Sequence, residues 1–159
     1  MRLHLSLLIA SLLILTSPAH AGTFFEASLG YGVEAAPNPG ESQDPNLMVA
    51  AGWGIGELII AELGLVGAYP GGEDLPHQGE LQIRPMLVIS PPLLPLYLRG
   101  TLAFKDPFSE SRKLAYGASL GLRFSLMGLG AFAELGALPV NTDPVRWIAE
   151  GRVGASLAF

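Results

Sequence analysis

From residue 23 onward the chain alternates. Apolar side chains take every second position along one segment after another, with polar or small residues between them, and a period of two marks β-strands. Eight such segments can be counted, roughly 23–35, 46–56, 58–69, 80–90, 95–105, 114–125, 129–139 and 146–159. Each is near the ~9–11 residues that a tilted strand needs to cross a bilayer. The longest uncharged run among them, PMLVISPPLLPLYL between Arg84 and Arg99, is too short for a membrane helix and is broken by four prolines. Regular spacing is present without any sequence repeat, linker or second domain.

One face of the alternation is apolar throughout. Its first segment reads Phe25, Ala27, Leu29, Tyr31, Val33, and its last reads Trp147, Ala149, Gly151, Val153, Ala155, Leu157, Phe159. On this face only Tyr and Trp carry a hydrogen-bonding group. Its aromatics gather at segment ends: Tyr69, Phe104, Tyr116 and Trp147 beside the longer connections, and Phe25, Phe124 and Phe159 at the opposite rim. Two aromatic belts around an apolar band are the pattern of a membrane-spanning barrel. Tyr31 and Trp53 are expected to lie deeper, between the belts.

The other face carries Glu26, Glu62, Glu134 and Glu150 with Arg84, Arg99, Arg123 and Arg152, interleaved with many glycines. In a closed eight-stranded barrel the bore is only wide enough to be filled by side chains. Charges placed there must pair, because an unpaired buried ion is very costly, and glycines on facing walls supply the room.

The connections alternate as well. APNPGESQDP, PGGEDLPHQG, KDPFSESRK and PVNTDP follow the odd-numbered segments. Shorter or uncharged turns, apart from Glu57, follow the even ones: Gly56-Glu57, SPPLLP and Met127-Gly128. The predicted fold is therefore an all-β, eight-stranded antiparallel up-and-down transmembrane β-barrel with short periplasmic turns and longer extracellular loops. The rival is a soluble barrel with the apolar face inside. Its outer surface would be rich in glycine, alanine and methionine and poor in Lys and Asp, which suits water badly. Pro85 interrupts either arrangement, since it has no ladder donor.

Composition sharpens this picture. Of 159 residues half are hydrophobic, 14% are charged and none is cysteine, so an exported chain has no disulfide to rely on. The opening MRLHLSLLIASLLILTSPAHA has a basic start, an apolar stretch from Leu5 to Leu15, Pro18 and small residues at Ala19 and Ala21. That is the anatomy of a cleaved signal peptide, residues 1–21, which leaves a barrel over 22–159. Arg2 leaves with it, and the remainder keeps eight basic and fourteen acidic residues, a formal −6. Such a balance disfavours nucleic acid.

Candidate chemistry is sparse. His77 is the single histidine after the signal, with Asp74 and Ser109 as possible neighbours, and nothing around it forms a catalytic motif. Glu73-Asp74 lacks the ligand count for a metal cage. No enzyme activity, cofactor or metal is expected. The acidic loop residues Glu41, Asp44, Glu73, Asp74, Asp106 and Asp143 are candidates for loose bridging through divalent cations to lipopolysaccharide.

The eight segments, the charged inner face and the ending Val153, Leu157, Phe159 resemble the small outer-membrane barrels of the OmpA transmembrane domain and OmpX type, and more distantly OmpW. The likeness spans residues 22–159 and is one of architecture. It implies a monomer among outer-membrane lipids and lipopolysaccharide. It further implies that the terminal Phe159 with Val153 and Leu157 is read by the barrel-assembly machinery, and that the interior charges form a polar network. The role it implies is structural or surface-interacting. OmpW likeness implies instead a narrow passage for small or hydrophobic solutes. Enzymes that edit lipid A share the size of this barrel and give a third, remote reading.

Overall fold

The computed structural model of the chain describes residues 22–40, 42, 45–55, 58–68, 81–91, 94–108, 113–140 and 144–159. The expected signal peptide lies outside the described residues, as do Tyr69, His77, Ser109 and the loop acids Glu41, Asp44, Glu73, Asp74 and Asp143.

Eight strands form: β1 (Thr23–Ala36), β2 (Asn46–Ile55), β3 (Ile59–Ala68), β4 (Gln82–Ile89), β5 (Leu96–Lys105), β6 (Lys113–Leu126), β7 (Leu129–Val140) and β8 (Arg146–Ala158). Each pairs antiparallel with the next, and β8 returns to β1, so the sheet is a closed barrel with no free edge. Among the described residues no helix is present. Alternation along the sequence had implied these strands, and the observed ends fall within a few residues of the expected ones.

Register converts the sequence pattern into an inside and an outside. Because side chains alternate across a strand, one register assigns every residue to a face. In β1 the pattern is strict: Phe25, Ala27, Leu29 and Tyr31 are exposed, while Phe24, Glu26, Ser28 and Gly30 are buried. The same holds around the wall, with Leu63, Leu98, Leu120, Leu135 and Val153 facing out. Oil is outward and ions are inward.

The belts follow the register. Phe25 and Phe159 meet edge to face at one rim, ring centroids 6.3 Å apart, and the Phe159 amide donates to the Thr23 carbonyl at 3.0 Å. Phe124 lies at the same end, beside the β6–β7 turn. Phe104, Tyr116 and Trp147 are exposed near the opposite rim. Trp53 departs from expectation. It pairs with Thr23, the first residue of β1, and is 65% exposed, so it belongs to the Phe25–Phe159 rim and not to the middle of the band. The misplacement arose because its distance from the rim depends on the stagger between β1 and β2, which alternation does not reveal.

The interior is not purely ionic. Three apolar clusters share it: Ala103, Ala115, Leu138, Val140 and Ile148; Met48, Ala50, Val66 and Met86; and Ile60, Val88, Tyr97 and Phe132. They divide the lumen into layers above, beside and below the charges.

The tightest connection is Met127-Gly128 between the paired Leu126 and Leu129. Both turn residues have positive φ, 51° and 84°. A two-residue hairpin of this kind needs left-handed backbone at both positions. A Cβ on Gly128 would also lie 2.7 Å from the Ala158 carbonyl oxygen. Gly128→Ala is therefore expected to destabilise the folded barrel by about 1–3 kcal/mol, read as a lower urea midpoint with unchanged slope. Met127→Gly is expected to be neutral or stabilising in the same titration.

Candidate functional site

The eight ionisable residues of the inner face project into one lumen from seven different strands, and all but Arg123 are more than nine-tenths buried. Arg99 of β5 is the centre, with 1% of its surface exposed. Its Nη2 lies 2.6 Å from Glu26 and 3.2 Å from Glu62. Its Nη1 donates to both oxygens of Glu134, at 3.0 and 2.9 Å. Three carboxylates from β1, β3 and β7 thus converge on one planar guanidinium, which suits arginine's fork of donors. Arg123 of β6 pairs with the other oxygen of Glu26.

Aromatic rings hold these two arginines. The Arg99 guanidinium carbon is 5.3 Å from the Tyr97 ring centroid and 5.5 Å from that of Phe132. Arg123 lies 4.6 Å from Phe24 and 4.8 Å from Tyr97. At these distances the ring faces attract the cations. The Tyr97 hydroxyl in turn donates to Glu134 at 2.7 Å. Gly121 makes space for that ring, since a Cβ there would collide with Tyr97.

A second cluster sits toward the long-loop end. Arg84 Nη1 donates to both oxygens of Glu150 at 3.1 Å, and its Nε and Nη2 donate to Gln82 at 3.1 and 2.9 Å. Arg152 pairs with Glu150 and donates to Asn46 at 2.6 Å and Ser28 at 3.1 Å. Its Nε is 3.8 Å from Glu134, which links the two clusters. The lower cluster, with three acids and two bases, and the upper one, with one acid and two bases, balance each other in charge.

Sequence reasoning missed a further pair. Glu34 of β1 and Arg146 of β8 form an ion pair near the long-loop rim, with Arg146 Nε donating at 2.7 Å. The Asn38 amide donates to Glu34 at 3.1 Å. The signal was available, because Glu34 keeps the parity of Glu26 and Arg146 that of Arg152. Within the network, Glu62 is the outlier: neither of its oxygens accepts a hydrogen bond, and the Nε groups of Arg99 and Arg123 donate none. Among the described residues no cluster of His, Asp and Glu could hold a metal ion.

A closed antiparallel barrel of eight strands, apolar outside and ion-paired within, is the class this geometry defines. No family model matches the chain, and no curated protein matches it. Among solved structures it is similar to the crystal structure of Neisserial surface protein A, with a TM-score of 0.56 and 15% identity, over 87% of this chain and 97% of that one. At that identity the likeness is one of fold, and the small eight-stranded barrel expected from the sequence is the fold observed.

Arg99→Ala would leave three buried carboxylates without their shared partner. It is expected to lower unfolding stability by about 3–5 kcal/mol, the range for breaking a buried pair. Arg146→Ala, whose side chain is 38% exposed but whose partner Glu34 is buried, is expected to cost less, about 1–3 kcal/mol. Urea titration in detergent, followed by tryptophan fluorescence, checks both.

Proposed function

We propose that the chain is an integral outer-membrane β-barrel with a structural or surface-interaction role, its lumen plugged by the ion-pair network and its longer loops serving as the contact surface. One observation carries this reading: the outward positions of every strand are apolar and exposed, while the inward positions hold paired ions. Monomeric water-soluble proteins rarely expose contiguous apolar patches larger than a few hundred Å², and this wall is apolar all the way round. Tyr and Trp near the rims suit the two lipid interfaces. The similarity in fold to Neisserial surface protein A supports a surface role.

In this reading residues 1–21 direct export and are removed. The Phe25–Phe159 end faces the periplasm, and Val153, Leu157 and Phe159 engage the assembly machinery during insertion. Lipids and lipopolysaccharide surround a monomer. The chain has no catalytic role, and the lumen contributes stability instead of a pore. Eight strands leave a bore that side chains fill, and Arg99 with its three acids occupies the middle of it.

Two measurements test the proposal. The protein should fractionate with outer-membrane markers and migrate differently on gels before and after heating. Arg123→Ala and Glu62→Ala should each lower the unfolding temperature in detergent without opening a conductance in planar bilayers. Unchanged stability together with raised conductance would replace the plug by a gated ion path.

A further inference from the structure

Two prolines stand inside strands, Pro85 in β4 and Pro139 in β7. Each lacks the N–H that a ladder uses. Pro85 pairs with Leu63 of β3, but on its other side the β4–β5 ladder passes from Ile83–Phe104 to Met86–Thr101 without pairing Arg84 or Pro85. Pro139 pairs with Trp147 of β8, while the β6–β7 ladder passes from Ala115–Val140 to Ala118–Ala137. Register is kept across both gaps. The other six strand interfaces run without such a gap, one bulge at Glu34/Ala36 apart.

The two gaps are at one height. Carried through the register, Pro85 stands opposite Leu102, Leu102 opposite Tyr116, Tyr116 opposite Pro139, and Pro139 opposite Trp147. Both missing donors therefore face the β5–β6 hairpin, one from each side. The hairpin itself is continuously paired from Leu96–Leu122 to Lys105–Lys113. It is a stiff unit in the wall with a weakened seam along each edge.

What lies on either side of this row is unusual for the wall. Outside, an open trough of about 810 Å³ runs over Pro85, Leu102, Tyr116, Pro139 and Trp147, with Gly100, Ala118 and Ala137 as its low floor. No charged side chain lines it. Inside, Leu102, Tyr116, Pro139 and Trp147 each have at least one neighbour in the apolar cluster Ala103, Ala115, Leu138, Val140 and Ile148, whereas Pro85 is flanked by Arg84 and Met86. A small void of about 20 Å³ adjoins Leu138 and ends at Arg84 and Glu150. Grease thus continues from the outer trough, through the β6–β7 gap, to Ala115, Leu138 and Val140 inside, while the β4–β5 gap opens beside Arg84 and frees the other edge of the hairpin.

We propose that the β5–β6 hairpin is the movable stave of a lateral portal, through which a lipid acyl chain passes from the outer trough to the apolar cluster at the long-loop end of the lumen. This rests on the membrane reading above. The occupant is an acyl chain because trough and inner cluster are both uncharged and the trough opens toward hydrocarbon. A seam between strands ~4.8 Å apart admits a methylene chain before it admits a ring or head group. The portal coexists with a plugged axis, since the Arg84–Glu150 pair closes the space below the cluster.

The test reconstitutes the full barrel in phosphatidylcholine nanodiscs with a palmitic acid carrying a terminal diazirine, irradiates it, and maps the adducts by mass spectrometry. In the unmodified protein, adducts are expected on outward Leu102 and Tyr116 and also on inward Leu138, Val140 or Ile148. Pro85→Ala with Pro139→Ala restores both ladder donors, so inward adducts should be lost while outward ones persist. Ala115→Phe fills the inner cluster with the ladders untouched and should lose them too. It carries the comparison alone if the double proline variant fails to give the heat-dependent gel shift of a folded barrel. Outward adducts alone in the unmodified protein, or inward adducts that survive in both variants, overturn the portal. A chain that yields no adducts even at Leu29 of β1, on the far wall, has not inserted, and overturns the membrane reading together with the portal that depends on it.

Discussion

Closure with alternation is the constraint on which the rest depends. Once β8 pairs with β1, every side chain of the wall must point either outward or into a bore too narrow to be hydrated freely. Any charge that falls on the inward parity then needs a partner from another strand, and the partner must have the matching height. Glu26 of β1, Glu62 of β3 and Glu134 of β7 meet Arg99 of β5 because the register brings all four to one level. The ion pairs therefore fix the stagger of the strands as much as the strands position the ions. A one-residue slip of β5 would place Arg99 among the outward-facing leucines and Leu98 among carboxylates.

Burying ions in this way is not a cheap route to stability, since desolvation offsets most of the Coulombic gain. The rings around Arg99 and Arg123 and the amides and hydroxyls around Arg84 and Arg152 reduce that penalty by replacing lost water contacts. Glu62 receives no such compensation. The lumen is thus a fully supported upper cluster and a lower one under mild tension, joined through Arg152 and Glu134.

Much of this was readable from residue order because a period of two is a local signal. Strand limits and the outward set from Phe25 to Phe159 follow from counting alone, as does the inward set from Glu26 to Arg152. What was not readable depends on stagger between strands. Trp53 was assigned to the middle of the band because nothing in β2 alone tells its height against Thr23. Which acid meets which arginine is equally a matter of register, so the eight residues could be named as a set but not as pairs. Glu34 and Arg146 had the right parity yet lay at strand ends, where an inward residue and a loop residue look alike. The inward apolar clusters escaped notice because residues such as Ile60, Val88, Phe132 and Ile148 are scattered singly among the charges and glycines of that face, and only register brings them together. Pro85 was visible as an irregularity, but its meaning required Pro139 on the same row, three strands round the wall.

The pairing of β1 with β8 also has a consequence for how the barrel is made. Phe24 meets Ala158, and Glu34 meets Ile148, so the first strand waits for the last before its outer hydrogen bonds exist. Contacts that distant in sequence are slow to form, because the whole intervening chain must be ordered first. Glu26 is in the same position, as its partners Arg99 and Arg123 arrive from the second half of the chain. Synthesis from the amino end therefore leaves an acid and an open strand edge exposed until β8 emerges. Until then that edge is open to pairing elsewhere, and the wall closes only when β1 meets β8.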